Sequence, residues 1–262
     1  MDHPLTTHPR PLLYGIAKGG RNFPPLYKTE KGDERSDVGV SKNFYMKKLL
    51  IIPAVILLLM ILIKRKDMTW RQSILKTAYP LVMLKSKLFP NKKEIQVNNT
   101  NLKPVTSFYS LQGVANNGIP IDFNVFKGKK VLIVNTASDC GFTGQYDELE
   151  KLQQQYKDKL VILGFPANDF KEQEKKNDAG IAEFCKVNYG VTFQLMQKTH
   201  VVKGVDQNPV FQWLTHAEQN GWCNQQPVWN FSKYVINEEG VLTHFFAQTV
   251  SPLRKEVVMA IQ

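Results

Sequence analysis

A four-residue apolar run, Val131-Leu132-Ile133-Val134, which ends in small polar residues and then Cys140, constrains this chain more than any other stretch. Four contiguous aliphatic residues fit a buried central strand and are too few for a helix. The run closes in Thr136-Ala137-Ser138-Asp139 and then presents Cys140-Gly141-Phe142-Thr143. Beyond it, Leu149, Leu152 and Tyr156 recur at helical spacing, giving one apolar face. Cys140 therefore sits where a strand hands over to a helix. Such a junction exposes a sulfur and turns the positive end of a helix dipole on it, which favours thiolate. Free cysteine is also among the most buried residue types. Position alone leaves Cys140 as either a nucleophile or a small core residue.

The rest of the C-terminal part reads as alternating strands and helices. A hairpin is expected across Phe108-Tyr109 and Ile119 to Phe123, turning at Asn116-Asn117-Gly118. Leu160 to Phe165 forms a second apolar strand. Asp178 to Val187 forms a helix with Asp178 as its cap and Ile181, Phe184 and Cys185 on one face. A helix from Pro209 to Ala217 carries proline in its first turn. A second hairpin joins Tyr234-Val235-Ile236 to Leu242–Phe246 through Glu238-Glu239-Gly240, and a last helix begins at Pro252. The pattern is α/β, a central mixed sheet flanked by helices. It is compatible with a thioredoxin-like fold, with Cys140-Gly141-Phe142-Thr143 where such folds carry Cys-x-x-Cys. Thr143 stands in place of the second cysteine, so a local dithiol exchange is ruled out.

Charge divides the chain in two. Residues 1–104 hold 19 Lys+Arg against 7 Asp+Glu, while residues 105–262 hold 15 against 16. The basic balance belongs to the N-terminal part and implies no nucleic-acid partner for the globular part. Cys140, Cys185 and Cys223 are too few and too irregularly spaced for a disulfide framework, and no Cys/His spacing suggests a metal site.

Residues 1–45, rich in Pro, Gly and charge, read as disordered, or as an extension upstream of a natural start at Met46. Residues 46–67 contain 15 consecutive apolar residues, Leu49–Ile63, between Lys47-Lys48 and Lys64-Arg65-Lys66. A spanning helix needs about 17 to 20 residues, a length that Tyr45 and snorkelling lysines extend toward. Basic residues follow the run where a cleavable signal would carry small ones, so the expectation is an uncleaved, single-pass membrane anchor. Its orientation is open, since both flanks are basic. Residues 68–104 are expected to be a basic juxtamembrane segment, interrupted at Pro80, then a polar linker from Lys92 to Pro104. The segment either lies on anionic headgroups or is a solvated linker. Asn98-Asn99-Thr100 matches a glycosylation sequon, a short and weak pattern.

Three stretches carry a resemblance. Asn135–Thr143 (NTASDCGFT), Gly164–Glu174 (GFPANDFKEQE) and Trp229-Asn230-Phe231 resemble, in order and spacing, the signature stretches of the glutathione peroxidase family. The resemblance spans roughly residues 105–262. It implies a thioredoxin-like fold and a catalytic tetrad on Cys140, Gln173, Trp229 and Asn230, with Cys140 where many members carry selenocysteine. The chemistry agrees: Gln and Asn amides each supply two N–H groups and an indole one, and donors fixed around developing charge are the largest usual catalytic effect. Taken singly, Trp229 also reads as core filler, Gln173 as a loop residue and Asn230 as a strand-edge residue.

The resemblance further implies reduction of hydrogen peroxide and organic or lipid hydroperoxides, with no cofactor beyond a thiol co-substrate. Cys185 matches the resolving cysteine of thioredoxin-dependent members, which implies a Cys140–Cys185 disulfide and a thioredoxin-type reductant, glutathione being the other candidate. Cys223 matches no family role and reads as structural or incidental. The stretch from Phe193 to Trp229 lacks the longer insertion of tetrameric members, which implies a monomer. Three positions depart from the pattern: Ala167 where many non-selenium members carry cysteine, Asp169 for a common glutamine and Lys175 for a common proline. An altered loop is expected there. A thiol redox sensor or relay using the same disulfide is the alternative reading.

Overall fold

The computed structural model describes Pro53, Val55, Ile56, Leu59, residues 67–89 and residues 93–262. The expected extension 1–45 lies outside the described residues. So does the apolar run Leu49–Ile63, apart from Pro53, Val55, Ile56 and Leu59, which are helical and exposed. Among the described residues no helix is long and apolar enough to cross a membrane.

The centre is a six-stranded mixed sheet. Strand β4 (Lys130–Thr136) pairs in parallel with β5 (Leu160–Pro166) across helix α2 (Gln145–Tyr156). On its other side β4 pairs antiparallel with β7 (Lys233–Ile236), and β7 with β8 (Leu242–Phe246). Two short strands complete the edges: β6 (Gln194–Leu195) beside β5, and β1 (Ile95–Val97) beside β8. This parallel unit continued by an antiparallel hairpin and a final helix, α6 (Lys255–Ile261), is a thioredoxin-like arrangement.

Alternation along β4 divides the core. Leu132 and Val134 face a cluster with Tyr146, Leu149 and Leu152 of α2, Ile181, Phe184 and Cys185 of α3 (Asp178–Tyr189), and Val257 and Ile261 of α6. Val131 and Ile133 face the other side, against Phe108, Phe123 and Val210, Phe211, Trp213 and Leu214 of α4 (Pro209–Thr215). A strand covered on both faces must be apolar throughout, which is why Val131–Val134 shows no alternation. A short helix α5 (Ala217–Asn220) follows α4. Cys223 is buried in the second cluster, bracketed by Asn220 through its N–H and carbonyl.

Several boundaries differ from those expected. The first hairpin pairs β2 (Gln112–Val114) with β3 (Pro120–Asp122) around the expected Asn116–Gly118 turn, while Phe108–Ser110 is a turn of 3-10 helix. Asn177, not Asp178, caps α3. The fold begins before residue 105. β1 lies in the expected linker, with Ile95 opposite Phe246, and the Glu94 carboxylate accepts from Arg254 and Thr249 at 2.6 and 3.0 Å. Three residues paired at an edge carry no periodic signal. Asn98 donates its side-chain amide to Leu102 and Leu242 carbonyls, so the sequon nitrogen is engaged within the fold.

The largest departure is α1 (Trp70–Leu88), a continuous helix through Pro80. An interior proline costs about 3 kcal/mol. End capping and burial oppose that cost. Thr69 and Gln72 form a reciprocal capping box, and Gln72, Ser73 and Tyr79 are buried.

Candidate active site

Cys140 lies at the C-terminal end of β4, as the strand–helix junction requires, and its loop is held from three directions. From within, the Cys140 N–H donates to Thr143 Oγ1 at 3.0 Å, and that hydroxyl lies 2.7 Å from the Cys140 carbonyl and 3.0 Å from that of Ala137. Thr143 thus shapes the loop instead of supplying a second thiol. From below, buried Glu174 accepts the Ser138 N–H and hydroxyl at 2.8 and 2.7 Å. Burial pushes the Glu174 carboxyl up, and the Ser138 bonds oppose this. From outside, Arg71 pairs with Asp139, and Gln72 Nε2 donates to the Ser138 carbonyl at 3.3 Å.

The four tetrad positions converge. The Phe142 N–H donates to the Cys140 sulfur at 3.4 Å. The Trp229 indole and the Asn230 amide neighbour the sulfur and favour its charged form. Asn230 Nδ2 donates to Gln173 Oε1 at 3.1 Å, so Gln173 enters the group through Asn230. Asn135, at the end of β4, ties Trp229 and Asn230 to the sheet: its amide donates to the Trp229 carbonyl at 3.2 Å and its Oδ1 accepts the Ser232 N–H at 3.0 Å.

Backbone strain marks the same places. Lys171 and Glu172, just before Gln173, both have φ of 51°, and Phe231, just after Asn230, has φ of 69°. Left-handed backbone is uncommon outside glycine, and for a bulky residue it is an outlier. It persists where surroundings over-determine it, typically at functional sites. Here Phe231 is fully buried against Tyr146 and its N–H is held by the Asn135 carbonyl.

The expected exposed thiolate is not what this state holds. Cys140 is fully covered, and burial is the largest influence on its pKa, outweighing the three donors; Asp139 adds to the upward push. The thiol is therefore raised, not lowered. A sequence shows the strand–helix junction but not the side chains that close over it. Cys185 is buried in the same cluster and is pushed up to about 12, chiefly by burial, with the Tyr146 hydroxyl opposing and Glu174 adding. All three cysteines are free thiols.

The departures at the second signature stretch have local partners. Asp169 lies 2.7 Å from His200 Nδ1 and accepts the Val201 N–H at 2.8 Å, so it pins the segment after β6 to the loop. Ala167 is fully buried. Lys175 lies 3.9 Å from Glu172. Glu174, Asn135 and the two α1 residues Arg71 and Gln72 are site residues that sequence reasoning gave no role. Glu174 stands inside a signature stretch, so only its partner was hidden; nothing in the sequence links Arg71 or Gln72 to Cys140.

Comparison with known proteins agrees with this site. The family model described as "Glutathione peroxidase" matches residues 108–215, a span that holds Cys140, Gln173 and Cys185 and stops before Trp229. The glutathione peroxidase-like peroxiredoxin GPX5 of Chlamydomonas reinhardtii is 45% identical over 146 residues, 55% of this chain and 89% of that protein. The glutathione peroxidase homolog BsaA of Staphylococcus aureus (strain MW2) is 43% identical over 151 residues, 57% of this chain and 94% of the relative. Among solved structures, the apo form of Trgpx is 35% identical with a TM-score of 0.46, covering 60% of this chain and 96% of that one. A sulfur ringed by amide and indole donors at the end of a central strand, together with relatives matched over nearly their whole length, makes the chain a thiol-dependent peroxidase that belongs to the glutathione peroxidase family.

Proposed function

We infer that Cys140 is the peroxidatic residue and Cys185 the resolving one, in a peroxidase recycled by a thioredoxin-type dithiol. The observation that carries this reading is one sulfur that accepts the Phe142 N–H and has the Trp229 indole and the Asn230 amide as neighbours favouring its charged form. Loss of the Cys140 proton gives the thiolate, which those donors hold. The thiolate attacks one peroxide oxygen, the O–O bond breaks, and the departing alkoxide or hydroxide takes a proton to leave as alcohol or water. Cys140 becomes a sulfenic acid. The Cys185 thiolate then displaces hydroxide from that sulfur, and water leaves as the disulfide forms. A reductant thiolate opens the disulfide through a mixed disulfide, and its second thiol releases the enzyme.

Bond formation needs the two Cα atoms within about 4.4–6.8 Å, and Cys185 is held within α3. That helix ends at Gly190, in left-handed conformation, whose N–H caps Cys185 and Lys186 carbonyls. Unwinding from this end releases Cys185 after little more than one turn. Attachment through Leu49–Ile63 would hold the enzyme at a bilayer and raise its effective concentration toward lipid hydroperoxides. The test follows NADPH consumption with peroxide, using thioredoxin with its reductase or glutathione with its reductase, on the wild type and Cys185→Ser. Thioredoxin-driven turnover lost in the variant is expected. Glutathione-driven turnover that survives it would remove Cys185 from the cycle, and a peroxide-induced disulfide without turnover would point to a sensor.

A further inference from the structure

Helix α1 has two faces of opposite kind. Its inner face is bound to the peroxidatic region. Met68, just before the Thr69 cap, is buried in the cluster that contains Cys140, Phe184 and Cys185. Arg71 pairs with Asp139 and Gln72 reaches the Ser138 carbonyl, the two residues directly before Cys140. Lys76 donates to the Asn188 carbonyl at 2.6 Å and lies 3.8 Å from the centre of the Tyr189 ring, at the end of the helix that carries Cys185. Tyr79 donates to Glu148 at 2.8 Å, and its ring fills the space where a side chain at Gly144 would stand; a Cβ there would meet it at 2.4 Å.

The outer face is an apolar stripe open to solvent. Trp70, Ile74, Leu81, Leu84 and Leu88 recur at helical spacing and are 44 to 69% exposed, and Phe89 extends the row. Helical residues three and four apart share a face. The helix contains no acidic residue, and Lys85 and Lys87 stand exposed in its last turn. Only residues 64–68, which begin Lys64-Arg65-Lys66, separate the Thr69 cap from the end of the apolar run at Ile63.

We propose that this outer face lies in the surface of an anionic lipid bilayer, so that α1 orients the Cys140 loop toward membrane-borne hydroperoxides. An apolar stripe edged with lysine and free of carboxylates is complementary to such a surface. The chain reaches it directly from a run that only lipid or a protein core would cover. Because the inner face is fixed to Ser138 and Asp139, sinking the outer face places the peroxidatic loop about one helix diameter, ~10 Å, from the headgroups. A hydroperoxide on a phospholipid acyl chain, polar enough to rise to the interface, is the substrate class this orientation suits. The inference rests on the peroxidase reading for its substrate but not for its membrane geometry.

The test uses the full chain on vesicles of phosphatidylcholine and phosphatidylglycerol in equal parts, with and without bromine on the acyl chains. Bromolipid should quench a component of tryptophan emission that is missing in Trp70→Phe. The double variant Leu81→Glu with Leu84→Glu, checked for fold by circular dichroism, should lose that quenching. It should also lose turnover of vesicle-borne phospholipid hydroperoxide several-fold while hydrogen peroxide turnover is unchanged. Trp70 emission indifferent to bromolipid would overturn the proposal, as would equal loss on both substrates. Concentration-dependent self-association abolished by the double variant would assign the stripe to a second copy of the chain and overturn it too. Absence of hydrogen peroxide turnover in the wild type would defeat the peroxidase reading and leave the quenching result standing.

Discussion

Cys140 and Cys185 lie in one apolar cluster, both without solvent exposure, but their polar neighbours differ. Around Cys140 stand a backbone N–H that donates to the sulfur and an indole and an amide that also favour its charged form. Around Cys185 the polar neighbours are the Tyr146 hydroxyl and the Glu174 charge, and the second of these opposes thiolate formation. Burial raises both thiols, and each also has a nearby carboxylate, Asp139 or Glu174, that adds to the push; against it Cys140 has three donors and Cys185 only the Tyr146 hydroxyl. On the proposed cycle the first sulfur reacts where it is, and the second stays protonated until its helix opens. This division is useful in a two-cysteine cycle, because a resolving thiolate formed too early would compete for the peroxide.

Removal of the nucleophile has the largest expected effect. Cys140→Ser should reduce peroxide turnover by ~10³-fold or more, since no other group replaces it in the covalent step. The coupled NADPH assay reads this directly. Cys185→Ser should be less severe but still large. Thioredoxin-driven turnover should stop after one peroxide per enzyme, with Cys140 trapped as sulfenic acid and detected by a dimedone mass shift. A variant that kept cycling would mean that the two sulfurs are not partners.

Next in size is the effect of the groups that favour the Cys140 thiolate. Asn230→Ala removes an amide that touches both the sulfur and Gln173. Loss of one preorganised donor costs about 10² to 10³ in rate at comparable anion sites. It should also push the Cys140 thiol further up, so its alkylation by iodoacetamide at neutral pH should slow. The matching change beside Cys185, Tyr146→Phe, should leave peroxide reduction in the first turnover nearly unchanged.

Much of this arrangement was legible in the sequence. The Val131–Val134 run gave β4 because a doubly covered strand must be apolar, and the Asn116–Gly118 turn was correctly placed although its strands were shifted. Cys140, Gln173, Trp229 and Asn230 were found as a group because three stretches matched together, and the structure brings them into one network. What escaped was whatever depends on distant partners. β1 is three residues defined by the register of β8. α1 survives Pro80 through contacts with Ser138, Asn188 and Glu148, each well over 60 positions away in the chain. The same helix holds Ser138 and Asp139, the two residues before Cys140, through contacts that no local pattern shows.

The smallest predicted effect is in the pH dependence of stability. A thiol whose pKa is raised on folding contributes stability that is fully present below its unfolded value and is lost as pH climbs through the folded one. For Cys185 that window runs from about 9 to about 12. The loss should approach ~1.4 kcal/mol per pH unit inside it. Buried Lys233, held by Gln145 and the Val250 carbonyl, acts with the opposite sign: its pKa is lowered from 10.5 to about 7, so its unfavourable effect on folding fades as pH rises between those values. That contribution is common to wild type and cysteine variants and cancels in their difference. Denaturant midpoints of wild type minus Cys185→Ala should therefore fall with pH above 9. Wild type minus Cys140→Ala should fall less steeply, because three donors already favour the Cys140 thiolate in the folded state. Equal slopes would mean that those donors do not act on the sulfur in solution, and the distinction between the two cysteines would reduce to their position on strand end and helix.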